Sequence, residues 1–120
     1  MIGETKVWIV YNQAQRFGQG SDHSDGIGLD SNTLVGFNFS TGELAYSYAN
    51  NNIAPDISAR EFAAIGKEYG NCIYAPEVNN KCGGIVITTL KELGYQRIFE
   101  QEDERKGIKV KTGKFGWEKV

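Results

Sequence analysis

The chain has 120 residues, of which 40% are hydrophobic and 23% charged, with a formal net charge of −2. That is the length of one domain with room for a packed core, and the near-neutral charge excludes a global attraction to nucleic acid, so any such contact must rest on a local patch. Two cysteines, Cys72 and Cys82, are too few for a secreted disulfide scaffold, and with a single histidine they do not make a zinc site. No run reaches the length of a membrane helix, and the start "MIGETK" carries no signal-peptide pattern. An intracellular protein with two reduced thiols is expected.

In chain order, "TKVWIVY" (Thr5 to Tyr11) is β-branched and aromatic at almost every position. That pattern predicts a central strand buried on both faces, with Trp8 in the core. Residues 12–31 are polar and glycine-bearing and predict a long loop that begins at Asn12. "TLVGFNF" from Thr33 and "ELAYSYA" from Glu43 alternate on either side of "STG", a hairpin signal. After "NNNIAPD" a helix is expected, with Ser58 and Glu61 as a capping box and Phe62, Ile65 and Tyr69 on one face, closed by Gly70. "NCIYAP" predicts a short buried strand that ends immediately before Glu77. A second helix is expected over residues 84–93, stopped by Gly94, and "YQRIFEQ" reads as a further strand. The tail divides by charge: "EQEDE" is acidic, whereas Arg105 to Val120 holds six Lys/Arg against one Glu. The chain stops at Val120 with no Gly, Pro or capping signal, which reads as a fragment.

The order β-β-β-α-β-α-β predicts an α/β fold, a mixed sheet flanked by helices, in one domain spanning residues 1–120. Ligands of such sheets gather at the carboxyl ends of adjacent strands. Asn12 follows the first predicted strand and Glu77 the fourth, so the two would meet if those strands are neighbours. The carboxylates near this edge are Glu77 with Asp22, Asp25 and Asp30. Clustered carboxylates suit hard divalent cations, and two ions about 4 Å apart can stabilise attacking and leaving oxygens in phosphodiester cleavage. The plainer reading makes the loop aspartates turn formers. Glu77 resists it, because it follows a buried strand and Pro76. His23 reads either as an exposed loop residue or as a base beside a metal-bound water. Lys109, Lys111 and Lys114 read either as phosphate contacts or as a solvated strand face.

At "PEVNNKCGG…LKELGY" the sequence resembles the C-terminal nuclease domain of the large terminase subunit of tailed bacteriophages. The matching residues are Glu77, Asn79, Asn80, Gly83, Leu90, Leu93, Gly94 and Tyr95, with one inserted residue around Lys81 or Cys82. Thr41, Gly42 and Glu43 match the family's hairpin turn, and Gly116–Trp117 a Gly-Trp pair before its last strand and helix. The resemblance implies a ribonuclease H-like fold and a two-metal endonuclease, using Mg2+ or Mn2+, that cuts concatemeric double-stranded phage DNA during packaging. It also implies portal and small terminase subunits as partners, and the cytoplasm of the infected bacterial host as location.

Carried over residue by residue, the second metal-holding acid is Glu77, supported by Asn79, Asn80 and Gly83. The first falls on Asn12 where an Asp is expected, and the third lies past Val120. The loop carboxylate falls on Asp30 when strand length is counted back, whereas the pattern around Asp22 is the closer match by eye. An amide offers one neutral oxygen where a metal wants an anion, so impaired cleavage is expected unless Asp22, Asp25 or Asp30 compensates. The residues alone leave enzymatic activity undecided. The competing reading is a non-catalytic DNA- or protein-binding module on the same scaffold.

Overall fold

The computed structural model describes residues 4–23, 31–51, 53–78, 81–105 and 107–117. Five strands form the main sheet: β1 (Glu4–Val7), β2 (Phe17–Asp22), β3 (Ser31–Asn38), β4 (Glu43–Asn51) and β5 (Ile73–Pro76), in the order β1-β4-β3-β2-β5. Four neighbouring pairs result, of which β2–β5 is parallel and the others antiparallel. Two helices, α1 (Pro55–Glu68) and α2 (Lys81–Glu92), flank β5 in sequence. A separate two-stranded ribbon, β6 (Glu100–Arg105) with β7 (Ile108–Phe115), completes the described structure. No helix among the described residues is long and apolar enough to cross a membrane.

Alternation along the strands fixes which face is buried. Leu34, Tyr46, Tyr48 and Tyr74 meet Phe62 of α1 and Val86 and Leu90 of α2 in one cluster. Phe37, Leu44 and Ile73, at alternate positions, are 40–42% exposed on the other face. The expected hairpin is present as β3 and β4, and buried Asn38 organises its turn by accepting from the Ser40 and Thr41 amides at 2.9 and 3.3 Å. Cys72 and Cys82 are both buried.

The first predicted strand is corrected. Only Glu4–Val7 pairs, and only with β4, at the edge of the sheet. Trp8 and Ile9 both donate to the Ala45 carbonyl, at 2.8 and 3.0 Å, which ends the ladder, and Trp8 is 56% exposed rather than in the core. The predicted loop instead contains β2, the strand between β3 and β5. Its sequence, FGQGSD, has low strand propensity. Backbone pairing on both edges holds it, and Gly18 leaves the space that the Phe39 ring occupies.

Three smaller corrections follow. Helix α1 starts at Pro55, so Ser58 lies within it. Ser58 Oγ accepts from Asn50 Nδ2 at 3.3 Å, and Glu61 accepts from the Tyr48 hydroxyl at 2.7 Å, so both serve strand–helix contacts rather than a capping box. Helix α2 begins three residues earlier than residue 84. "YQRIFEQ" is not a sheet strand; Tyr74 exchanges backbone bonds of 2.8 Å with Arg97 and Phe99, and pairing as a strand begins only at Glu100.

Candidate functional site

Strands β2 and β5 run in parallel, with Gly18 opposite Ile73, Gln19 opposite Tyr74, Gly20 opposite Ala75 and Ser21 opposite Pro76. The Glu77 amide then donates to the Ser21 carbonyl at 2.8 Å. Continuing this register by one residue sets Asp22 alongside Glu77, at the carboxyl ends of two adjacent parallel strands. Asp22 is half-buried and Glu77 is 4% exposed.

On its other side the end of β5 is held by Trp117. Its amide donates to the Pro76 carbonyl, and the Val78 amide donates to the Trp117 carbonyl, both at 2.9 Å. Two glycines permit this crowding. A Cβ on Gly83 would strike the Val78 backbone, and one on Gly116, whose φ is +82°, would lie 2.5 Å from the Pro76 oxygen. Helix α2 and the Trp117 segment therefore close around residues 76–78.

Beneath the carboxylates, on the helix-covered face, lies a buried polar triangle. Ser21 Oγ is 2.7 Å from His23 Nε2 and 2.7 Å from the Tyr74 hydroxyl, and His23 Nε2 is 3.3 Å from the same hydroxyl. The His23 ring also stands 5.2 Å from that of Phe62. Burial disfavours the imidazolium and lowers the His23 pKa to about 4, against the opposing attraction of Asp22. His23 is thus a neutral core residue, and the expectation of an exposed loop histidine is corrected. Burial likewise pushes the Tyr74 hydroxyl upward.

Asn12 does not join this site. It lies in the exposed connection from β1 to β2, where its Oδ1 accepts from the Ala14 amide at 2.9 Å. Neighbouring Tyr11 packs 5.8 Å from the Phe17 ring and 6.1 Å from the Tyr69 ring, at the starts of β2 and β5. Glu77 is at their far ends. The residue that meets Glu77 is Asp22, because β2 and not β1 is the neighbour of β5. Asp25, Asp30, Asn79 and Asn80 lie outside the described residues. Gly83 lies against the backbone of Val78, next to Glu77.

The basic tail occupies β7, and the acidic run β6. Their register sets Glu102 opposite Lys111 and Glu104 opposite Lys109. The three lysines, Lys109, Lys111 and Lys114, are exposed, but Lys111 stands opposite Glu102, which dilutes the positive patch there. A cleft of about 620 Å3 opens at the starts of β2 and β5 among Tyr11, Arg16, Phe39, Ile73, Arg97 and Lys111. It is at the wrong end of the strands to include the carboxylate pair.

Asp22 and Glu77 carry hard oxygen donors of the kind Mg2+ and Mn2+ take. Among the described residues no group of three His, Cys, Asp or Glu side chains gathers to complete such a set. The residues that sequence reasoning missed are Ser21 and Tyr74. A period-two signal was available for the first, since Gly18 and Gly20 alternate with Gln19, Ser21 and His23.

No protein-family model matches the sequence, and no curated protein matches it. Solved structures do. The large terminase nuclease from thermophilic phage G20c with bound magnesium superposes with a TM-score of 0.69 at 17% identity, over 79% of this chain and 49% of that one. Its zinc-bound form gives 0.66 at 16% identity, over 79% and 56%. The large terminase nuclease domain of Thermus phage P74-26 gives 0.63 at 14% identity, over 76% and 45%. The chain spans about half the length of these structures. At such identities the likeness establishes the fold, a ribonuclease H-like mixed sheet flanked by helices.

Proposed function

We propose that this chain, which has the fold of phage large terminase nuclease domains, is a divalent-metal-dependent endonuclease domain acting on double-stranded DNA. The observation that carries this reading is the parallel register of β2 and β5, which brings Asp22 beside Glu77 at the strand ends. In this reading Asp22 takes the role of the carboxylate expected after the first strand, and Asn12 serves its turn. The likeness to nuclease structures that hold magnesium and zinc supports the same donor role for these two side chains.

In this reading Asp22 and Glu77 hold Mg2+ or Mn2+, which when bound polarises a phosphodiester and activates water. The buried position of Glu77 excludes competing water from one side of its carboxylate, and the half-buried Asp22 opens toward substrate. A further acid from outside the described residues completes the ligand set. From the sequence resemblance rather than from these structures, the proposed substrate is concatemeric phage DNA in the cytoplasm of an infected bacterium, with portal and small terminase subunits as proposed partners.

The test is nicking and linearisation of supercoiled plasmid in Mn2+ by the wild-type chain, Asp22→Ala, Glu77→Ala and Asn12→Asp. Cleavage by the wild type and by Asn12→Asp, with loss in the other two, is the expected result. Equal cleavage by Asp22→Ala and wild type overturns the assignment. A wild-type chain that shifts DNA in gels yet neither binds Mn2+ nor cuts returns the reading to a non-catalytic binding module.

A further inference from the structure

The Ser21–His23–Tyr74 triangle lies within the core as a polar cluster, and the metal chemistry makes no direct use of it. Apolar side chains would fill that volume at lower desolvation cost, since each buried hydroxyl must find a partner or lose about 1–3 kcal/mol. All three residues are buried, at 4%, 3% and 0% exposure. They are also placed unusually: Ser21 is the last residue of β2 with a register partner on β5, His23 is the first residue past the strand, and Tyr74 belongs to the adjacent β5. The contacts therefore tie the end of β2, on both sides of Asp22, to the neighbouring strand.

We infer that this triangle is a positioning device that holds the Asp22 backbone in register beside Glu77. The inference rests on the proposed metal-binding role of those two carboxylates. The two 2.7 Å contacts are satisfied in either sense: Tyr74 O–H donates to Ser21 Oγ and Ser21 O–H to His23 Nε2, or His23 Nε2–H donates to Ser21 Oγ and Ser21 O–H to the Tyr74 oxygen. Side chains at 21 and 23 share one face of the strand, so fixing both leaves Asp22 directed to the opposite face. Glu77 needs no such aid, because backbone bonds to Ser21 and through Pro76 and Val78 to Trp117 already clamp its segment.

The experiment measures Mn2+ affinity of the full chain, by electron paramagnetic resonance of free Mn2+, at a temperature where circular dichroism shows every variant folded. Tyr74→Phe removes one hydroxyl and keeps the ring, and Ser21→Ala removes the hub. Each is expected to weaken Mn2+ binding about ten-fold, the scale of lost outer-shell support, whereas Asp22→Asn removes it. If Asp22→Asn loses the ion while folded Tyr74→Phe and Ser21→Ala bind as the wild type does, the triangle is only structural and the inference falls. If Asp22→Asn binds like the wild type, the metal assignment itself falls. Should Tyr74→Phe fail to fold, Ser21→Ala decides alone.

Discussion

Glu77 donates its amide proton to the carbonyl of Ser21 at 2.8 Å, across two parallel strands far apart in sequence. That bond fixes the stagger of the strand ends, and through it the neighbour of the Glu77 carboxylate. A slip of one residue would exchange Asp22 for Ser21 or His23 and turn the carboxylate to the other face. The candidate site is thus a property of register.

Metal binding should follow Asp22 and ignore Asn12. In a Mn2+ titration Asp22→Asn is expected to lose affinity by more than the ~10-fold typical of a missing outer-shell partner. Asn12→Asp should leave it unchanged, because its side chain closes an exposed turn on Ala14 at the opposite end of β2. A gain of affinity in Asn12→Asp would reinstate the first strand as the site's origin.

Stability should depend on pH through His23. Its pKa falls from 6.5 unfolded to about 4 folded, mainly because burial disfavours the charged ring. Between these values the unfolded chain binds a proton that the folded chain refuses, so stability is full above about pH 6.5 and declines as pH falls toward 4. The slope contributed is at most about 1.4 kcal/mol per pH unit. Urea unfolding of wild type and His23→Gln should show a stability difference that narrows from pH 7 to pH 5. A constant difference would show that the folded ring carries its proton.

Gly83→Ala should destabilise the fold by about 1–3 kcal/mol, the range for overpacking. Its Cβ would meet the Val78 backbone, one residue from Glu77. Gly84→Ala is the control, since nothing lies within 4 Å of a Cβ there. Thermal melts of the two variants should separate clearly, with Gly84→Ala at or above the wild type.

In the β6–β7 ribbon, Lys111→Glu should cost about 0.5 kcal/mol by setting like charges across the strands. Glu102 is its register partner. The swap Glu102→Lys with Lys111→Glu should recover most of that loss in a double-mutant cycle at low salt. Additive losses would mean that the two side chains do not sense each other.

The sequence by itself determined the elements whose signals are local. The β3–β4 hairpin follows from alternation about a turn that Asn38 and Gly42 suit, α1 from the spacing of Phe62, Ile65 and Tyr69, and the end of β5 immediately before Glu77 from a short buried run. The order of helices and strands after the hairpin, and with it the fold class, was legible for the same reason. Tertiary structure alone decided which N-terminal segment became the central strand. Hydrophobicity favoured "VWIVY", yet that run lies at the edge with Trp8 and Val10 exposed, while glycine-bearing β2 pairs on both sides. Local propensity is worth less than two ladders of backbone hydrogen bonds and the close approach of the Phe39 ring that Gly18 permits. Those pairings join residues far apart in sequence, so no local pattern could reveal that Asp22, rather than Asn12, stands beside Glu77.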